Sequence, residues 1–299
     1  MDKKKAKGYM YLGITILLFS TLEVVSITLK SFINPIQLTF FRFLIGGITL
    51  LPWVIIKKEK ICFKDFLFFA GLGLLNTVIS MGSYQLAISM GKASTTAIIM
   101  SANPVFVVLF SSIILKEKIT KDKILCVLLG VLGIILIMYK GDSSEGNAMT
   151  SVLALIGSVT FALYTVLGKM KADNISSITM ISLSAIFGSI FYIPILLYLK
   201  LQIFYVPIEG LARILYLGVF VSGIAYITFI EALKILSASK GSMVFFLKPG
   251  IVAILAAVFL GETVSFKTIL GMLLVISGIL INFIYTNKTS KLSNKEINC

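Results

Sequence analysis

Ten apolar segments, each about as long as a membrane-spanning helix, divide this chain of 299 residues from end to end. A helix needs about 20 apolar residues to cross a bilayer, and backbone groups inside lipid must pair with one another. Because 58% of the residues are hydrophobic and 13% are charged, a soluble fold of this length cannot hide them. The sequence predicts an all-α integral membrane protein with ten transmembrane helices. The segments lie at 9–29, 36–56, 65–89, 93–115, 122–140, 149–169, 175–199, 210–235, 239–260 and 266–286.

The second half of the chain repeats the first. A shift of 145 residues relates Ala93-Ser94 to Ala238-Ser239, Pro104 to Pro249 and Glu117 to Glu262, and a shift of 142 relates Phe19 to Phe161 and Gly46 to Gly188. An internal repeat of this kind constrains the overall architecture more strongly than any single helix does. We therefore predict two five-helix units, residues 1–145 and 146–287, followed by a short cytoplasmic tail, 288–299.

Lysines predict the orientation of the segments. Loops on the side of the N-terminus hold 19 basic residues and the other loops hold 6, so both termini are predicted to be cytoplasmic in a cell membrane. An odd number of helices in each unit turns the second unit upside down. In agreement, residues 115–121 contain three lysines, whereas the equivalent residues 260–266 contain none. Inverted repeats are typical of secondary transporters that bind substrate near the bilayer midplane.

Several classes of protein are excluded by what the sequence lacks. It has no histidine, its three cysteines are scattered, and no phosphate-binding loop or catalytic motif occurs. The basic residues lie in short loops between apolar segments, which indicates a membrane protein rather than a nucleic-acid-binding one. We expect no enzymatic activity and no cofactor, with transport driven by a proton, a counter-substrate or a simple gradient.

The repeated motifs carry a resemblance. Ten helices as five plus five, mid-segment prolines at Pro104 and Pro249, Leu-x-Glu ends at Glu117 and Glu262, and Ala-Ser starts of segments four and nine resemble the EamA-type branch of the drug/metabolite transporter superfamily. The resemblance implies a secondary transporter, and many such relatives export amino acids or other metabolites. Many of them have Trp-Gly in the first helix, where this chain has Phe19-Ser20.

Charged residues inside the segments are candidate functional groups, because burying them in lipid costs about 2.5–3.5 kcal/mol each on insertion scales. Glu23 and Arg42 both lie about 21 Å from the inner ends of their helices, which predicts a salt bridge between them. This pair is either purely structural or one in which Glu23 exchanges Arg42 for a substrate amine or a proton. Glu231 lies near the inner end of segment eight and either reaches the interface or neutralises Lys248.

Two prolines mark the expected site. Asn103 and Lys248 occupy equivalent positions directly before Pro104 and Pro249. Because proline has no N–H, the carbonyl groups of Met100 and Phe245, one turn earlier, lose their helical hydrogen-bond donor. Broken helices with polar residues at mid-membrane predict a binding site in which Lys248 and Asn103 hold a substrate carboxylate. The alternative is a pair of packing kinks, with Lys248 neutralised by Glu231 or another carboxylate.

Aromatic residues complete the predicted site. We expect Tyr84, Tyr164, Tyr226 and Phe245 to wall a pocket for an organic substrate. Opposite charges at Glu23 and Lys248 favour a zwitterion such as an amino acid, and an organic anion, a drug or a facilitative channel remain alternatives. The small residues of Gly130-x-x-Gly133 and Ser277-Gly278 leave open a homodimer.

Overall fold

The computed structural model describes residues 3–138, 148–203 and 205–261, together with short pieces between 266 and 281. Its described residues contain helices and no β-strand. Nine helical runs follow one another in these residues and match the first nine predicted segments. They are α1 (Lys3–Leu29), α2 (Pro35–Lys57), α3 (Phe63–Met90), α4 (Ala93–Met100 and Asn103–Ile114), α5 (Lys121–Met138), α6 (Ala148–Ala172), α7 (Ser177–Tyr198), α8 (Ile208–Ile235) and α9 (Ala238–Leu260).

Eight of these described runs are long and apolar enough to cross a membrane. The remaining run, α5, has 18 residues and is apolar beyond a first turn that holds Lys121, Asp122 and Lys123. The fold is therefore that of a helical, multi-pass membrane protein, and the total of ten helices stays a prediction. Most of the predicted segment 266–286, the repeated Glu262 and the tail 288–299 lie outside the described residues.

Helix boundaries follow from local capping chemistry. The side chain of Asn34 accepts a hydrogen bond from the backbone N–H of Ile36 at 2.9 Å, and Pro35 occupies the first position of α2, where its missing N–H costs nothing. Ser237 caps α9 in the same way. At the end of α9, Gly261 adopts a left-handed conformation, with φ of 70°, that only glycine enters without strain.

The two halves share their irregularities. A π-helical stretch interrupts α3 at Leu74–Met81, and another interrupts α8 at Leu217–Ile224, 143 residues later. In α4 and α9 the final helix begins at Asn103 and at Lys248, each followed by proline. Such irregular turns inside helices often mark functional sites.

Contacts between the halves are also repeated. A Cβ atom built on Gly46 of α2 would lie 2.9 Å from the carbonyl oxygen of Gly218 in α8. A Cβ atom on the equivalent Gly188 of α7 would lie 2.8 Å from the carbonyl oxygen of Gly73 in α3. The absence of side chains at these positions lets the backbones of the two halves approach closely.

Loop contacts sort into two ends of the bundle. At one end Lys57 donates to Ser176 at 2.7 Å and Lys171 pairs with Asp65 at 2.7 Å. We call this the lysine-rich end. It comprises residues 57–65, 117–123, 171–176 and 234–240, and here Gly8 lies against Ile235. At the opposite end Gln37 donates to the carbonyl oxygen of Gln202 at 2.7 Å, Arg213 donates to that of Thr28 at 3.2 Å, and Gly91 lies against Thr150.

Two of the small residues that suggested a dimer, Gly130 and Gly278, pack within the chain. A Cβ atom on Gly130 would lie 2.6 Å from the ring of Phe246, and one on Gly278 would lie 3.0 Å from Leu129. Both glycines thus face helices of their own chain, and their spacing gives no support for a homodimer.

Candidate functional site

A small cavity lies where α1, α2, α3, α4, α6, α8 and α9 meet. Its volume is about 20 Å³, which holds about one water molecule, so this conformation is closed around the site. The lining residues are Phe19, Leu22, Arg42, Met81, Tyr84, Met100, Phe161, Tyr226, Phe245 and Lys248.

A buried ion pair stands at the cavity. Helix α1 is interrupted at Thr21, and Glu23, in the turn that follows, has no exposed surface. Its Oε1 atom lies 2.5 Å from Nζ of Lys248 and also accepts a hydrogen bond from the hydroxyl of Tyr84. Nζ of Lys248 further lies 5.1 Å from the centre of the Tyr84 ring. Glu23 Oε2, in contrast, has no hydrogen-bond partner among the described residues.

The predicted salt bridge between Glu23 and Arg42 is therefore wrong, because the carboxylate pairs with Lys248 instead. The sequence left two roles open for Lys248, as a ligand of the substrate or as a cation that a carboxylate of the chain neutralises. The second is observed in this conformation. Neutralisation by Glu231 is also wrong, since Glu231 pairs with Lys234 at 2.9 Å, with more than a third of its side chain exposed at the lysine-rich end.

Arg42 is buried and is held by neutral groups. Its Nε donates to the hydroxyl of Ser222 at 3.1 Å, and its Nη1 donates to the side-chain oxygen of Gln85 at 3.3 Å. The guanidinium also lies 5.0 Å from the ring centre of Phe43, which offers a cation–π contact. Arg42 makes no ion pair with a carboxylate of the described residues.

The proline breaks are present, but their carbonyl groups are not free. The carbonyl oxygen of Met100 accepts a hydrogen bond from the hydroxyl of Ser158 at 3.3 Å, and that of Phe245 accepts one from the backbone N–H of Lys248. Proline removes the helical partner of both carbonyls, as the sequence indicates, but a neighbouring serine and a short 3₁₀ turn satisfy them, so the expectation of a free Phe245 carbonyl is wrong.

Asn103 lies beside α6 rather than beside the ion pair. Its Nδ2 donates to the carbonyl oxygen of Ser158 at 3.1 Å, and its buried Oδ1 has no partner among the described residues. Met100, one turn earlier, is the residue of α4 that lines the cavity. No hydrogen bond joins Asn103 to Lys248 among the described residues, and Asn103 is not among the residues that line the cavity.

Aromatic rings form the apolar wall of the cavity. Tyr84, Tyr226 and Phe245 line it as predicted, whereas Tyr164 stands behind Tyr226, with 5.9 Å between ring centres. Phe19 and Phe161 also line it; Phe19 stacks on Phe245 at 5.8 Å. In the sequence, Phe19 and Phe161 are repeat mates, and Phe19 stands where many relatives of the resembled family have tryptophan. Neither was predicted to line the site, although an aromatic residue repeated in both halves was itself a signal for it.

At the lysine-rich end, Glu117 joins the end of α4 to the start of α9. It accepts hydrogen bonds from the backbone N–H of Ala238 at 2.8 Å and from the hydroxyl of Ser239 at 2.6 Å, and it pairs with Lys123 at 3.2 Å. Burial is the largest single influence on its pKa and raises it, but the bonds from Ser239, Ala238 and Lys123 together outweigh burial and lower the pKa below 4.5. We call this contact the end latch.

Comparison with known proteins adds three findings. The model of the EamA-like transporter family matches residues 6–139 and 148–284. A protein of Clostridium kluyveri named an uncharacterized transporter is 31% identical over 96% of both chains, and one of Rickettsia prowazekii named an S-adenosylmethionine uptake transporter is 24% identical over 98% of both. A solved crystal structure with 16% identity superposes with a TM-score of 0.77 over 95% of this chain and 99% of its own.

Proposed function

The chain belongs to the EamA-like transporter family, and on that premise we propose that it is a secondary transporter that moves a small polar organic metabolite across the cell membrane by alternating access. The proposal includes ten transmembrane helices arranged as two inverted five-helix repeats, with both termini in the cytoplasm. The family model matches once within each predicted repeat, which supports the duplication.

Contacts at the two ends support the inversion. The start of the first repeat, at Gly8, lies with residues 234–240 at the lysine-rich end. The start of the second repeat, at Thr150, lies with Gly91 at the opposite end. Equivalent starts on opposite ends are what inversion requires, and the excess of lysine assigns the lysine-rich end to the cytoplasm.

The observation that carries the proposal is the buried group of Glu23, Lys248 and Arg42 beside the closed cavity. Charges of this kind are unfavourable inside a membrane protein unless they pair or bind cargo. Glu23 and Lys248 satisfy each other while the cavity is closed. For substrate to enter, helices must separate, and the pair becomes available to the charged groups of a ligand.

This arrangement suggests the order of events. Opening at one end exposes Glu23, which takes a substrate amine or a coupling proton, and frees Lys248 for an anionic group. Closing the cavity around the bound cargo excludes water, and opening at the other end releases the cargo. The end latch of Glu117 must break when the lysine-rich end opens, because it fixes the start of α9 to the end of α4.

Two substrate classes fit the charges. An amino-acid-like zwitterion matches the opposite charges of Glu23 and Lys248, and an organic anion is favoured by Arg42, which has no described carboxylate partner. Export is proposed from the family resemblance, although the Rickettsia relative is named an uptake transporter. A facilitative channel is the competing mechanism.

The test is transport by the purified full-length chain in proteoliposomes. Compounds that raise its melting temperature are first selected, and the radiolabelled hits are then followed in counterflow. We expect saturable uptake that is accelerated by unlabelled compound on the far side, since a carrier returns faster when loaded. Loss of this flux in Glu23→Gln, with retention in the matched variant Glu231→Gln, assigns it to the cavity. Flux without saturation or counterflow contradicts the proposal.

A further inference from the structure

We propose that Arg42 is the anchor for a carboxylate of the substrate. The inference rests on the proposed function and names the chemical group that the site recognises. It differs from the expectation that Lys248 and Asn103 hold the carboxylate, because in the closed site Lys248 is paired with Glu23, and Asn103 is bonded to Ser158 and is not among the residues that line the cavity.

The buried charges at the cavity do not balance. Among the described residues, the buried charged groups at the cavity are one carboxylate, from Glu23, and two cations, from Lys248 and Arg42. Glu23 and Lys248 cancel each other, and the remaining positive charge belongs to a guanidinium that is 1% exposed. A buried charge without a counterion is unfavourable, so the guanidinium of Arg42 is compensated only when an anionic group lies beside it.

The geometry of Arg42 is the second argument. A guanidinium has five N–H donors in a planar fork. Ser222 accepts from Nε and Gln85 from Nη1, the described hydrogen bonds include none from Nη2, and the side chain lines the cavity. Gln85 is itself held by the hydroxyl of Ser26 at 3.3 Å. Neutral partners therefore fix the fork in place without cancelling its charge, and a fixed fork matches the two oxygens of a carboxylate.

Glu23 supplies a complementary acceptor. Its Oε2 atom is buried and has no partner among the described residues. A substrate that carries a carboxylate beside a hydroxyl or an ammonium group can satisfy Arg42 with the first group and Glu23 with the second. Hydroxy acids and amino acids share this chemistry, and the experiment separates them.

The test compares carboxylic acids with their carboxamides by the melting temperature of the purified full-length chain. Lactate, alanine, 3-phenyllactate and phenylalanine are each measured against the corresponding amide at equal concentration and ionic strength. We expect at least one acid to stabilise the protein and its amide to have no effect, because the amide cannot pair with a guanidinium. A response to hydroxy acids alone identifies an organic anion as the cargo, and a response to amino acids identifies a zwitterion.

Variants assign the effect to Arg42. Arg42→Gln is expected to weaken binding of the stabilising acid at least tenfold, and Arg42→Lys, which keeps the charge without the fork, to weaken it less. Arg213→Gln is the matched control, since Arg213 lies at the opposite end of the bundle and contacts a carbonyl oxygen. If Arg42→Gln does not give monodisperse protein, weaker binding of the acid by Arg42→Lys than by the wild type supports the inference, and equal binding contradicts it.

Three results overturn the inference: an amide that stabilises as well as its acid, full acid binding in the Arg42 variants, or no stabilisation by any acid of the panel. Saturable counterflow of a neutral or cationic metabolite would also remove the role of Arg42 while leaving the proposed function intact. The failure of the inference is thus distinguishable from the failure of the proposed function.

Discussion

The ion pair between Glu23 and Lys248 gives the most direct prediction about stability. Glu23→Gln keeps the shape of the side chain and an acceptor for the Tyr84 hydroxyl, and removes only the negative charge. Lys248 is then left with its side chain 4% exposed and no carboxylate partner. Removing one member of a buried ion pair costs about 3–5 kcal/mol, because the remaining charge is desolvated and uncompensated.

The expected change is large enough for a melting experiment. A loss of 1 kcal/mol lowers the melting temperature of a protein of 150–250 residues by roughly 2–4 °C, so Glu23→Gln should lower it by on the order of 10 °C. The double variant Glu23→Gln/Lys248→Met removes both charges and should melt close to the wild type, since replacing a buried pair by uncharged side chains is often neutral. Melting is followed in lipid nanodiscs at neutral pH and at one heating rate, because unfolding is expected to be irreversible.

A matched control is available at the lysine-rich end. Glu231→Gln breaks the exposed pair with Lys234, and an exposed pair contributes only about 0–1 kcal/mol. Melting of Glu23→Gln within about 2 °C of this control, or a double variant less stable than Glu23→Gln, would show that the Glu23–Lys248 pair is not formed in the folded protein.

Three further predictions concern other parts of the structure. In a variant without the native cysteines, a cysteine at Lys92 should react with an impermeant reagent added outside whole cells, and one at Lys240, close to the equivalent position of the second repeat, should not; labelling of both from one side contradicts the inverted repeat. Glu117→Gln should lower the melting temperature at neutral pH, because the depressed pKa of the Glu117 carboxyl means that its stabilisation is present above 4.5. The difference from the wild type should vanish as the pH falls through that depressed pKa and the carboxylate is protonated; a difference that persists in acid contradicts the end latch. Tyr84→Phe removes a hydrogen bond to a charged group and should cost about 1.5–3 kcal/mol in a melting assay, whereas Tyr198→Phe, at an exposed tyrosine, should cost nothing measurable.

Glu23, Arg42 and Lys248 illustrate the limit of sequence reasoning at this site. Counting residues along each helix gives the height of a side chain, because the rise per residue is constant. Height alone made Glu23 and Arg42 equally deep and suggested a pair. The direction in which each side chain points is set by helix packing, and the structure turns Glu23 towards Lys248 and Tyr84, and Arg42 towards Ser222 and Gln85.

The proline breaks show the same limit of sequence reasoning. The sequence identifies which carbonyls lose their helical partner, because proline has no N–H at that position. It does not identify the group that replaces that partner, which at Met100 comes from Ser158 on another helix. Phe19 and Phe161 were found as repeat mates and missed as cavity residues for the same reason, since lining a cavity is a property of several helices together.

Hydropathy and internal repetition are local or additive properties of a chain, and they determined on their own that this protein is a helical membrane protein and where eight of its spans lie. The repeated motifs carried the resemblance to its transporter family. Pairing between buried groups depends on the relative rotation of helices distant in sequence. The tertiary structure alone therefore decided that Lys248, rather than Arg42, neutralises Glu23, and that Arg42 is held by neutral partners at the cavity.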